Sequence, residues 1–118
     1  MFNQILLAGR LVFEPKLVEV DDNKKVCQIR IAVARPFRSR ETQEFETDFF
    51  NVVLWQGMAQ QVANNCKVGS VIIVKGRLEE NKYENKEGRK VNEVRIIGEK
   101  IIYVSQNNIT NEVSSEED

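Results

Sequence analysis

One short segment of this chain, Gly57–Cys66, spaces its apolar residues for a helix, and it stands alone. Met58, Ala59, Val62, Ala63 and Cys66 fall on one face at a period of 3.6 residues. The other apolar segments read as strands. Val26–Ala34 alternates most cleanly, with Cys27, Ile29, Ile31 and Val33 on one parity and Gln28 and Arg30 on the other. Asn3–Val12 places Ile5, Leu7 and Leu11 on one parity, with Gly9 between them. A glycine inside such a pattern marks a bend or a close approach of backbones. Pro15 interrupts this strand, Leu17–Val20 resumes it, and Asp22-Asn23 reads as a turn.

Thr47–Trp55 is a third strand, Ser70–Glu79 a fourth and Val91–Val104 a fifth, broken at Gly98 by a bulge. Lys67-Val68-Gly69 stops the helix, with Gly69 suited to a left-handed cap. Residues 35–46 and 80–90 are charged and read as exposed loops, with Gly88 as a turn residue. The order is three strands, one short helix, two strands. That is the order of the all-β, five-stranded OB-fold barrel, with its helix between strands 3 and 4. Gly9, Gly76 and Gly98 suit the bends of a small closed barrel. A β-sandwich needs about seven strands, and this chain supplies five. Residues 1–105 form one domain. Residues 106–118 lose the apolar pattern and read as a disordered, acidic tail.

The composition excludes much. There is no histidine, which removes Ser-His-Asp and Cys-His nucleophiles and any His-ligated metal. Asp21-Asp22 and Glu79-Glu80 are adjacent pairs, so their side chains cannot converge on two metals. No P-loop, GxSxG or GxGxxG motif occurs. The chain reads as a non-enzyme without metal or cofactor. No segment reaches membrane-span length, and Cys27 and Cys66 read as buried thiols of a reducing cytoplasm. The formal net charge of -1 hides an asymmetry. Every basic residue lies at or before Lys100, while four acids fall in the last thirteen residues. Between Asp22 and Glu41 there is no acid, but Lys24, Lys25, Arg30, Arg35, Arg38 and Arg40 are all there.

Four aromatics stand out. In Thr47–Trp55 the parity of Phe50, Val52 and Leu54 belongs to a core, which leaves Phe49 and Trp55 on a face that should be polar. Either that face is buried against a second subunit or the helix, or it is a platform for stacked bases. Phe37 lies among Arg35, Arg38 and Arg40, where it either caps the barrel mouth or stacks beside neutralised phosphates. Tyr83 follows Lys82 and precedes Lys86, Arg89 and Lys90, in a loop that several glutamates dilute. Arg10 and Arg77 sit in matching Gly-Arg-Leu triplets; each is a phosphate contact or an ordinary exposed strand arginine.

Taken together, the segments Asn3–Leu11 with Glu14-Pro15, Thr47–Trp55 leading to Ala59, and Gly69-Ser70 through Val74-Lys75-Gly76-Arg77-Leu78 closely resemble the bacterial single-stranded DNA-binding protein family over residues 1–105. The resemblance implies an OB fold, a homotetramer, and wrapping of single-stranded DNA in replication, recombination and repair. It places the family's stacking aromatics at Phe37, Phe49, Trp55 and Tyr83. In this reading Arg10, Arg30, Arg35, Arg38, Arg40, Lys75, Arg77 and Lys82 follow the phosphates, in a cytoplasmic, nucleoid-associated protein. Phe37 and Phe49 replace the Trp of the best-known members, which reduces stacking area. Phe50 replaces a His associated there with subunit contacts. The tail ends at Ser114-Ser115-Glu116-Glu117-Asp118 and lacks the Ile-Pro-Phe tip through which the family docks replication and repair proteins. The competing reading is a primosome-type OB module that binds partners and only weakly binds single strands.

Overall fold

A computed structural model describes residues 1–20 and 23–104. The elements run β1 (Ile5–Leu11), β2 (Leu17–Val20), β3 (Lys24–Arg38), β4 (Phe45–Trp55), α1 (Gln56–Asn65), β5 (Val71–Glu84) and β6 (Lys90–Tyr103). Neighbouring strands run β1-β5-β6-β4-β3-β2, and β1 also pairs with β3 through Arg10↔Ala32 and Leu11↔Ile31. That last pairing closes a five-stranded barrel. The expected first strand is broken at Pro15 into β1 and β2, so the helix expected between strands 3 and 4 lies between β4 and β5. The turn expected at Asp22-Asn23 and the tail 106–118 fall wholly or partly outside the described residues.

The expected parities hold. Cys27, Ile29 and Ile31 of β3 and Val52 and Leu54 of β4 are fully buried, together with Leu11, Ile72 and Val74. α1 covers one end of this core with Ala59 and Val62. It has no side-chain N-cap and no acid in its first turn, so packing rather than capping holds it. Lys25 Nζ donates to Gln60 Oε1 at 2.7 Å and ties α1 to β3. Gln56 turns the chain from β4 into α1 with φ of +55° and leaves Trp55 at the strand's end. Cys27 and Cys66 are buried free thiols, and burial pushes both thiol pKa values up, away from the reactive thiolate. At ten residues, α1 is far too short to cross a membrane.

Three expectations need correction. The expected loop 35–46 is mostly strand: β3 continues to Arg38 and β4 begins at Phe45. Pro36 has no N–H to give the ladder, so pairing slips between Ala34↔Thr47 and Arg38↔Phe45 and then resumes. The expected loop 80–90 is an antiparallel arm as far as Glu84↔Lys90, leaving Asn85–Arg89 as the turn, with Gly88 at φ of +79°. Gly69 does take a left-handed φ of +91°, but it is not the helix cap. α1 ends earlier, at an extended Cys66, and Gly69 sits in the next turn, where Ser70 N–H donates to the Lys67 carbonyl. The bulge at Gly98 is present: Lys75 faces Lys100 and Gly76 faces Gly98, so Glu99 is the extra residue.

Close backbone contact makes two strand glycines necessary. A Cβ on Gly9 would collide with the Ala32 carbonyl, and one on Gly76 with the Ile97 carbonyl. Gly57 in α1 has open space around it. Gly9→Ala and Gly76→Ala should each lose about 1–3 kcal/mol of stability. Gly57→Ala should gain about 0.4–1 kcal/mol. Denaturant melts of the three variants check this, and an unchanged Gly76→Ala midpoint would contradict it.

Candidate nucleic-acid interface

The barrel core takes one parity of β3 and β4, so the other parity must face outward. On β3 that row is Val26, Gln28, Arg30, Ala32 and Ala34; cross-strand on β4 stand Trp55, Val53, Asn51, Phe49 and Thr47. Phe49 is 49% exposed and Trp55 39%, so neither ring belongs to the core. Arg30 organises the middle. Its guanidinium lies 5.1 Å from the centre of the Phe49 ring, and Nη1 donates to Asn51 Oδ1 at 3.2 Å. Ala32, directly opposite Phe49, is small enough to leave one face of the ring uncrowded.

The two long hairpins carry the remaining rings beyond the barrel. Phe37 is 61% exposed in the slipped stretch of β3, and Tyr83 is 45% exposed on β5 opposite Val91. Arg38 lies 5.3 Å over the ring of Phe45, an exposed aromatic beside the hairpin tip that sequence reasoning passed over. The signal was available: Phe45 sits in a charged stretch just as Phe37 does.

The expected phosphate ligands differ in what already holds them. Arg10, Arg38 and Arg40 have no ion-pair partner among the described residues. Arg10 lines a groove of about 280 Å³ with Ala32, Ala34 and Thr47, beside the Phe49 row. Arg40 lies in the hairpin turn. Arg35 is already occupied: its guanidinium grips Asp48 through two bonds of 2.9 and 3.0 Å and reaches Glu46 at 2.8 Å. Arg77 pairs with Glu79 at 3.2 Å and with Glu99 at 3.3 Å, and Lys82 stands 3.5 Å from Glu80. Lys75 faces Leu6 and Lys100 on β5, two strands away from β4, and is not brought to the aromatic rows. Arg95 was missed by sequence reasoning. It donates to Glu79 at 3.1 Å, lines a groove with Gln28, Asn51 and Glu93, and keeps a buried Nε–H without a partner. Its parity, outward between Val94 and Ile96, was the available signal.

Two carboxylates register these pairs. The Arg35 guanidinium holds the Asp48 carboxyl below its ordinary range, and Arg95, then Arg77, does the same for Glu79. A depressed folded pKa means that the pair's contribution to stability is present above the unfolded carboxyl value, and is lost as pH falls through the folded value. Both groups are exposed, so the effect on global stability is small. Arg35→Gln should raise the Asp48 carboxyl midpoint toward its ordinary range in an NMR titration. An Asp48 midpoint that does not rise would show that the grip is absent in solution.

Residues 2–104 match the model of the "Single-strand binding protein family". The "Single-stranded DNA-binding protein" of Halalkalibacterium halodurans is 38% identical over 104 residues, 88% of this chain and 61% of that protein. "Single-stranded DNA-binding protein B" of Bacillus subtilis is 34% identical over 104 residues, 88% of this chain and 91% of its own length. The chain thus spans about three fifths of some curated relatives and nearly all of another. Among solved structures, "Plasmodium falciparum SSB complex with ssDNA" matches with a TM-score of 0.73, covering 88% of this chain and 96% of that one. At 23% identity that match speaks for the fold.

Proposed function

Because the chain belongs to the single-strand binding protein family, we propose that it binds single-stranded DNA without sequence preference and shields it during replication, recombination and repair. It performs no chemistry on the strand. The observation that carries this reading is the outward row of Phe49 and Trp55, with Arg30 held against Phe49. Every base has a π-face, so exposed rings accept any sequence, and unpaired cations beside them meet an anionic backbone. Phe37 and Tyr83 on the hairpin arms extend the path. Arg10, Arg38 and Arg40, without ion-pair partners among the described residues, are positioned to meet phosphate.

The protein acts as a homotetramer in the cytoplasm, associated with the nucleoid. The outer wall of β1, β5 and β6 favours assembly: Leu6 and Ile102 are exposed there beside Ile73, an apolar area that a second copy would cover. Replication and repair proteins are the expected partners.

The test separates stacking from charge. Phe37→Ala and Phe49→Ala should each weaken binding to oligo-dT by about 1–3 kcal/mol and leave the salt slope unchanged. Arg38→Ala should flatten the slope of log affinity against log salt by about 0.7. Arg35→Ala should change the slope far less, because Asp48 and Glu46 already neutralise that guanidinium. Thermal stability and oligomeric mass are recorded for each variant. Phe variants that stay folded and assembled and bind normally would contradict the stacking assignment.

A further inference from the structure

Phe49 and Trp55 are six positions apart on β4, about 20 Å of strand. No ring of β3 or β4 lies between them: the outward residues there are Arg30, Gln28, Asn51 and Val53. One aromatic outside both strands stands beside this gap. Phe13 lies in the crossing between β1 and β2, which passes along β3 at the level of Gln28 and Arg30. The ring is 43% exposed and takes no part in the core.

The crossing is anchored at several points. Leu11 N–H donates to the Ser70 carbonyl and Val12 N–H to the Arg30 carbonyl, both at 2.9 Å. Pro15 is buried with its φ fixed by the ring. Leu17 then pairs with Cys27 as β2 begins. Phe13 is therefore presented by a braced segment rather than a free loop, so little ordering entropy opposes a contact made there.

Phe13, Glu14, Lys16 and Gln28 line an open groove of about 380 Å³. Gln28 also lines the groove that holds Asn51, Val53 and Arg95. Gln28 borders both grooves, so they lie side by side against that residue on the outward face of β3. Lys16 has no ion-pair partner among the described residues, and supplies a cation next to the ring. Glu14 lies on the same groove, so a phosphodiester must pass on the Lys16 side.

Resting on the single-strand reading above, we infer that Phe13 is a further stacking residue: it takes a base between the Phe49 and Trp55 positions, with Lys16 on the adjoining phosphate. The site would be a side branch of the main path.

The test uses the whole chain and labelled oligo-dT, read by fluorescence anisotropy at several salt concentrations. Phe13→Ala should bind about 5- to 20-fold more weakly with an unchanged salt slope. Lys16→Ala should flatten the slope. Melting temperature and oligomeric mass should match the parent protein. A second variant, Phe13→Trp in a Trp55→Phe background, should lose emission when oligo-dT saturates it. Parent-like affinity of Phe13→Ala, with no emission change in the second variant, would overturn the assignment. So would a drop in oligomeric mass for Phe13→Ala, which would place the ring against a second copy. Phe49→Ala is the control: if it binds weakly while Phe13→Ala binds normally, only the Phe13 site fails. If the parent protein does not bind oligo-dT at all, the underlying reading fails with it.

Discussion

Closure of the barrel at the seam between β1 and β3 governs where every other side chain goes. Only two residue pairs make that seam, and it forms because Gly9 lets the β1 backbone approach the Ala32 carbonyl. Gly76 permits an equally close approach to β6, and Gly98 lies under the Leu54 side chain. Once closed, the wall offers each strand residue one of two places. Half of β3 and β4 fills a core of Cys27, Ile29, Ile31, Val52 and Leu54. The other half must meet solvent or a ligand. Exposed rings at Phe49 and Trp55 follow from strand period and closure together.

The same outward face sorts its charges. Arg35, Arg77, Lys82 and Arg95 are engaged with neighbouring carboxylates, while Arg10, Arg38 and Arg40 have none among the described residues. Arg30 and Arg38 each lie over an aromatic ring, Phe49 and Phe45, and Arg30 also holds the Asn51 amide. The paired arginines fix local geometry, as Arg35 does across the β3–β4 ladder to Asp48. The unpaired ones leave positive charge available to a polyanion, on a chain whose net charge is only -1. The distribution of charge, rather than its sum, suits the surface to the single-stranded DNA proposed as its ligand.

Much of this was legible in the chain. Val26–Ala34 and Thr47–Trp55 bury one face, so their alternation revealed the core and the stray rings alike. The hairpin arms were not legible. Residues 35–38 and 80–84 are exposed on most sides, and cross-strand backbone bonds hold them, so no alternation marks them as strand. The occupation of Arg35 depends on the Val33↔Asp48 and Ala34↔Thr47 register, which sets Asp48 and Glu46 across from it and which sequence order alone does not show. Gly69 was correctly read as left-handed, but its turn lies beyond the helix end, because Cys66 leaves α1 in an extended conformation. Arg95 and Phe13 escaped notice because each stands singly, and only the assembled wall sets them beside Gln28.

The central claim is that the off-core rings of β4 receive bases, and Trp55, the chain's single tryptophan, reports on it directly. The measurement is a titration of its fluorescence with oligo-dT at several salt concentrations. The account predicts saturable quenching, with a midpoint that moves to higher oligonucleotide concentration as salt rises. Oligo-dT that demonstrably binds, yet leaves the Trp55 emission unchanged at saturation, would contradict it.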